Sequence, residues 1–181
     1  SLGFSENDFL IITVGDLNSN KNQEVIIKAL GILGIANIHL IICGIGKKRT
    51  YLEKLCKKYH IEKQVHFLGL RNDIPDLLKI SNLFILASKR EGLPRSVMEA
   101  MAVGLPCIVS NIRGNKDLID NLSGGILCTS YDHYEFADAI KVLYSNESLR
   151  NQYGKYNQTK VKNFDVKIVK KQISKIYDSL P

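Results

Sequence analysis

Along the first 130 residues, short uncharged β-branched runs alternate with longer stretches whose apolar residues recur every three or four positions. Residues 9–14, 38–43, 65–68, 83–86, 107–109 and 126–128 read as strands, most of them apolar enough to be buried on both faces. Between them, residues 22–33 put Ile26, Ala29, Leu30 and Leu33 on one helical face, and residues 49–59 do the same with Leu52, Leu55 and Cys56. Asp73 stands where it can cap a helix carrying Leu77 and Ile80, with Pro75 tolerated in the first turn. Strand–helix alternation requires right-handed crossovers, so the expected fold is α/β, a parallel sheet of about six strands with helices on both faces. After Gly124 and Gly125 the only further strand is 126–128, and residues 134–144, 148–162 and 166–180 predict three successive helices. The expected organisation is one domain over 1–181, with a strand–helix core over about 8–130 and a helical tail over about 132–180.

Composition narrows this picture. With 181 residues, 45% hydrophobic and 24% charged, the chain suits one globular domain and is too short for two full α/β domains. It begins Ser-Leu-Gly and is expected to be a piece of something longer, so a cleft between two domains would need the absent one. No apolar run approaches the ~20 residues that cross a bilayer, and the start lacks a basic-then-apolar signal pattern. Cys43, Cys56, Cys107 and Cys128 are far apart, with no CxxC or Cys/His cluster, which predicts free thiols in a reducing cytoplasm rather than a zinc site.

The formal charge of +7 is unevenly placed: residues 155–175 hold seven lysines against Asp165. With Val166, Val169, Ile173, Ile176 and Leu180 at 3–4 spacing, this reads first as the solvated face of an amphipathic helix. The sharper reading is peripheral contact with an anionic membrane, at the inner face of the plasma membrane. Nucleic acid is excluded as the partner because no aromatic-rich strand or binding motif accompanies the lysines.

In an open parallel sheet, ligands bind beyond the carboxyl ends of the strands. The loops there are 15–21, 44–46, 69–73, 88–94 and 110–115. The fourth is the most informative. Glu91-Gly92-Leu93-Pro94 leads into a helix over 95–103 that Gly104 can terminate, Pro94 suits the first helical position, and Gly92 lets backbone approach a ligand. Free N–H groups at such a helix start favour a phosphate. Glu91 before the helix and Glu99 one turn inside it can each accept hydrogen bonds from a separate set of hydroxyls. On spacing alone, a plain Arg95–Glu99 pair at i,i+4 is an equal account.

The block from Glu91 to Pro106, Glu-Gly-Leu-Pro-Arg-Ser-Val-Met-Glu-Ala-Met-Ala-Val-Gly-Leu-Pro, resembles the E-x7-E block of retaining, GT-B-fold glycosyltransferases of family GT4 (glycosyl transferases group 1). The likeness runs over nearly the whole chain, from Val14, Gly15 and Lys21 through residues 65–69 and Ser88 to Gly125. It implies a Rossmann-like C-terminal domain, one half of a GT-B fold. It also implies that Glu99 binds the ribose of a nucleotide-sugar donor, Glu91 contacts the transferred sugar, and Lys21 neutralises the diphosphate, so that Glu91 and Lys21 are the expected catalytic residues. Gly15 and the backbone of Gly92, Leu93 and Pro94 would lie against sugar and phosphate, and Leu70 and Arg71 would meet the base. The resemblance further implies a UDP-sugar first and a GDP-sugar second, no metal and no cofactor. The acceptor, lipid-linked or oligosaccharide, would be held by the N-terminal domain that is missing here.

Two positions depart from the family pattern. Asp16 stands where an arginine usually completes the diphosphate clamp, and Arg113-Gly114 replaces the usual Gly-Gly. An acid beside a diphosphate is unfavourable, so Arg113 is expected to supply part of the missing charge. The variant loops are similar to those of bacterial capsular and exopolysaccharide enzymes. The alternative function is a non-catalytic, Rossmann-like nucleotide-binding or regulatory module, against which Gly44-Ile45-Gly46 lacks the third glycine of a dinucleotide fingerprint. His39, His60, His66 and His133 are scattered and read as packing or surface residues.

Overall fold

The structure is a computed structural model and describes residues 3–168 and 170. Its strands are β1 (Phe9–Val14), β2 (Ile38–Cys43), β3 (Val65–Gly69), β4 (Leu83–Leu86), β5 (Cys107–Ser110) and β6 (Gly125–Cys128). They form one parallel sheet in the order β3-β2-β1-β4-β5-β6. The order reverses between β1 and β4, and in open α/β sheets it is the crevice beyond the strands' carboxyl ends at such a switch point that receives ligands.

The period of two along each strand sorts the core into two layers. Phe9, Ile11, Ile38, Leu40, Ile42, Leu83, Ile85 and Ile108 pack under α1 (Gln23–Leu33), α2 (Arg49–Lys58) and α6 (His133–Ser145). Leu10, Ile12, Ile41, Phe84, Leu86, Cys107 and Val109 pack under α3 (Ile74–Lys79), α4 (Arg95–Ala102) and α5 (Arg113–Leu118). The helix α7 (Glu147–Lys160) follows, closed by a 3-10 turn at Val161–Phe164. Residues 166–168 begin another helical stretch, and the rest of the helix expected over 166–180 lies outside the described residues except for Lys170.

The helix ends show where local chemistry prevailed and where it gave way. At the end of α4, Gly104 (φ 84°) sends its N–H to the Met101 carbonyl, and Leu105 sends its own to Ala100, the double bond of a Schellman stop. Helix α4 begins at Arg95, so Pro94 is its N-cap and not its first helical residue. Asp73 precedes α3 but its side chain caps nothing. It is held instead by the Arg71 guanidinium (2.8 and 2.5 Å), and a bidentate charge-assisted pair outcompetes a neutral cap. The six-residue α5, in a segment expected as loop, contains Gly114 and Asn115, both poor helix formers. Tertiary bonds secure it, since buried Asn115 donates from Nδ2 to the Ser110 carbonyl (2.9 Å) and hydroxyl (3.0 Å).

All four cysteines are free and buried, with the Cys43 thiol pushed up to about 11 and the Cys56 and Cys128 thiols to about 12 by desolvation. Among the described residues no helix is long and apolar enough to cross a membrane. Of the lysine-rich segment, Lys160 is taken by Asp120 (2.9 Å), while Lys155, Lys162, Lys167 and Lys170 are exposed; Lys171 and Lys175 lie outside the described residues.

Candidate active site

The switch-point crevice is walled by the loop after β1 and the loop after β4. The first leaves the sheet through Gly15 (φ 153°), a conformation that suits glycine. A Cβ there would stand only 3.1 Å from Lys21 Cε, so the lysine stem lies across Gly15. Gly44 and Gly46, in the loop after β2, are needed for close approach as much as for a turn. A side chain at Gly44 would meet the Gly15 carbonyl oxygen at 2.1 Å, and one at Gly46 the Leu17 oxygen at 2.4 Å. Their absence lets Gly15 and Leu17 continue pairing with Cys43 and Ile45 beyond the ladder.

Across the crevice stands Glu91. Lys21 Nζ lies 2.6 Å from Glu91 Oε1, with side-chain exposures of 20% and 12%. The loop carrying Glu91 is braced on its far side by β5 and α5. Ser110 donates its hydroxyl to the Ser88 carbonyl (2.5 Å), and Gly114 sits so close that a Cβ would meet the Gly92 oxygen at 2.1 Å. Arg113 is thereby placed beside the Glu91-Gly92 loop, its side chain exposed. Asp16 is exposed and forms no ion pair among the described residues; its carbonyl is held by Gln23 Nε2 (2.9 Å).

Glu99 is exposed on α4, and among the described residues it pairs with neither Arg95 nor any other cation. The i,i+4 account of this carboxylate is therefore wrong, and Glu99 is free to accept hydrogen bonds. No side-chain cap closes the start of α4, and among the described residues a Cβ at Gly92 would meet nothing within 4 Å, so the loop ahead of that helix is open at Gly92. Leu70 is 76% exposed at the end of β3, and Arg71 is committed to Asp73, which the pairing holds below the usual carboxylate range. The structure thus brings Gly15, Lys21 and Glu91 together by contact, with Gly92 next in the chain and Arg113 placed nearby through Gly114. Glu99, Leu93, Leu70 and Arg71 lie on loops and a helix start at the same end of the sheet, and among the described residues they make no hydrogen bond or ion pair to Lys21 or Glu91. Leu93 is 46% exposed, whereas Pro94 is buried.

Sequence reasoning missed the asparagines of this corner. Asn18 Oδ1 accepts the N–H groups of Asn20 and Lys21 (2.9 Å each), and Asn22 reaches the carbonyls of Ala87 (3.3 Å) and Ser130 (2.6 Å). Only the density of Asn in residues 18–22 hints at side chains standing in for backbone.

The family described as "Glycosyl transferases group 1" matches residues 1–160. The chain belongs to that family. The putative glycosyltransferase EpsD of Bacillus subtilis is 30% identical over 179 residues, covering 98% of this chain and 47% of EpsD. The Escherichia coli UDP-Gal:alpha-D-GlcNAc-diphosphoundecaprenol alpha-1,3-galactosyltransferase is 35% identical over 182 residues, covering 98% and 46%. Among solved structures, HepE of Anabaena in complex with UDP superposes at a TM-score of 0.90 with 26% identity, over 96% of this chain and 50% of that one. The same protein is also known in complex with UDP-glucose. This group 1 glycosyltransferase chain therefore spans about half the length of the relatives it matches, and its open six-stranded sheet is the Rossmann-like half-molecule of a GT-B fold.

Proposed function

We propose that this chain is the donor-binding half of a retaining hexosyltransferase of family GT4, and that it holds a UDP-sugar in the crevice between β1 and β4. The observation that carries this reading is the Lys21–Glu91 contact at the switch point, with an exposed Glu99 that makes no ion pair among the described residues one turn into the adjoining helix. Lys21 supplies positive charge to the diphosphate, Glu91 accepts from the hydroxyls of the transferred sugar, and Glu99 accepts from the ribose hydroxyls. Backbone N–H groups at the uncapped start of α4 add to the field at the departing diphosphate, so catalysis is electrostatic stabilisation of the leaving group. No metal ion or cofactor is required by this arrangement. Gly15 and the exposed Gly92-Leu93 loop leave room for sugar and phosphate, Leu70 and the main chain of Arg71 face the base, and exposed Arg113 offsets the charge of Asp16.

Support for a uridine donor comes from HepE with UDP and UDP-glucose and from the UDP-Gal enzyme of E. coli; a GDP-sugar is the second candidate. The E. coli relative acts on a diphosphoundecaprenol-linked sugar. A lipid-linked acceptor, held mainly by a preceding domain at the inner face of the plasma membrane, follows by analogy, as does a role in capsular or exopolysaccharide synthesis.

Titration of the chain with UDP, GDP, ADP and NAD tests the reading. Saturable UDP or GDP binding that Glu99→Ala abolishes supports it; NAD preference, or no nucleotide binding, contradicts it.

A further inference from the structure

Lys21 and Glu91 sit on separate loops, and the β1–β4 ladder that should align those loops is short. It registers only Ile11 with Leu83 and Ile12 with Phe84. Beyond it, after Asn22 reaches the Ala87 carbonyl, the Asn20 side chain continues the pairing. Asn20 donates from Nδ2 to the Arg90 carbonyl (2.9 Å) and accepts at Oδ1 from the Arg90 N–H (3.1 Å). Its own carbonyl accepts the Lys89 N–H at 2.8 Å. A primary carboxamide is the side chain that offers donor and acceptor together, so it pairs with residue 90 much as a neighbouring strand's peptide would. The two residues that the carboxamide joins, Asn20 and Arg90, each precede one member of the ion pair.

We propose that Asn20 is a positioning residue that couples Lys21 to Glu91, fixing the separation of the diphosphate and sugar contacts across the crevice. The bracing is directional. Asn18 independently secures the Lys21 N–H, so loss of the Asn20 side chain leaves the lysine's turn in place. Residues 89–91, in contrast, lose the Asn20 side-chain tie and are left, toward the β1 side, with the main-chain bond at Lys89 and the Lys21–Glu91 contact itself, while Ser110 and Gly114 brace the opposite flank. Glu91 is then the member that moves. The functional half of this proposal rests on the donor-binding reading above, while the clamp itself can be measured without nucleotide.

The test compares the wild-type chain with Asn20→Ala and Asn20→Asp by amide hydrogen exchange and by binding of UDP and UDP-glucose. The aspartate variant keeps an acceptor for Arg90 N–H but sets a carboxylate against the Arg90 carbonyl, so both variants should break the clamp. The expected result is Arg90 amide exchange accelerated by about tenfold or more in a chain that still melts cooperatively. UDP-glucose binding should weaken by about tenfold, with UDP alone changed less than about threefold. A merely structural contact would not move that ratio. Unchanged Arg90 exchange, or equal loss of UDP and UDP-glucose affinity, overturns the proposal. A wild-type chain that binds neither nucleotide overturns the donor reading and the coupling role together, and is told apart by the wild-type titration alone.

Discussion

Lys21 and Glu91, seventy positions apart in sequence, meet at 2.6 Å across the switch point of the sheet. A fully exposed pair of this kind contributes little to stability, but here both side chains are mostly shielded. An ammonium has three donors, so Lys21 can keep Glu91 while turning its others to a phosphate oxygen. On the proposed reading, the pair joins the charge that would meet the diphosphate to the carboxylate that would meet the sugar.

Removing the lysine should therefore act on binding more than on folding. Lys21→Ala is expected to weaken UDP by about ten- to a hundredfold, the scale of a charge-assisted hydrogen bond. Isothermal titration against wild type checks it, with a cooperative thermal melt as the control for folding.

Glu99 offers the cleanest separation of the two properties. It is exposed and makes no ion pair among the described residues, so Glu99→Ala should leave the melting temperature within about 1–2 °C, as surface substitutions do. The same variant should lose at least about tenfold in UDP affinity. A matched loss of stability would show that Glu99 has a structural partner instead.

Gly114→Ala should behave oppositely. Its new methyl group would meet the Gly92 oxygen at 2.1 Å and the Glu91 oxygen at 2.6 Å, both backbone atoms that cannot swing aside. Overpacking of this sort costs roughly 1–3 kcal/mol, and because the displaced atoms belong to the Glu91 loop, UDP-sugar binding should fall as well. Chemical denaturation measures the first effect and titration the second.

A fourth expectation concerns acid. His66 on β3 lies 3.1 Å from His39, with Phe4 against both rings and Asp8 beside His39 at 3.6 Å. Desolvation, and secondarily the neighbouring His39, hold the His66 imidazole below its ordinary value, against a weaker opposing pull from Asp8. The unfolded chain then binds the proton more readily than the folded one. The contribution of His66 is full above its ordinary value near 6.5 and is lost as pH falls below it toward the depressed folded value. Melting temperatures between pH 7.5 and about 5 should decline less steeply in His66→Phe than in wild type; parallel profiles would contradict the assignment.

The sheet was largely legible from the chain because β1, β2 and β4 are uncharged, β-branched runs bounded by polar loops, and each appears where that pattern puts it. What escaped was set by side-chain bonds that compete with the pattern read from periodicity and caps. Helix α5 depends on Asn115 reaching back to Ser110, and Asp73 abandons its cap for a guanidinium two residues away. The family block assigned Gly15, Lys21 and Glu91 to one donor site, but the Lys21–Glu91 contact itself was not legible, since periodicity carries no information about which loops face each other. Asn20 gave no signal of its own, because an asparagine that imitates backbone looks like any other polar loop residue.

The central claim, that the Lys21–Glu91 crevice receives the donor diphosphate, is tested most directly by a crystal structure of this chain with UDP. The account predicts a phosphate oxygen within about 2.7–3.2 Å of Lys21 Nζ and the ribose hydroxyls on the Glu99 carboxylate. UDP seated elsewhere, with Lys21 still bonded to Glu91 alone, would contradict it.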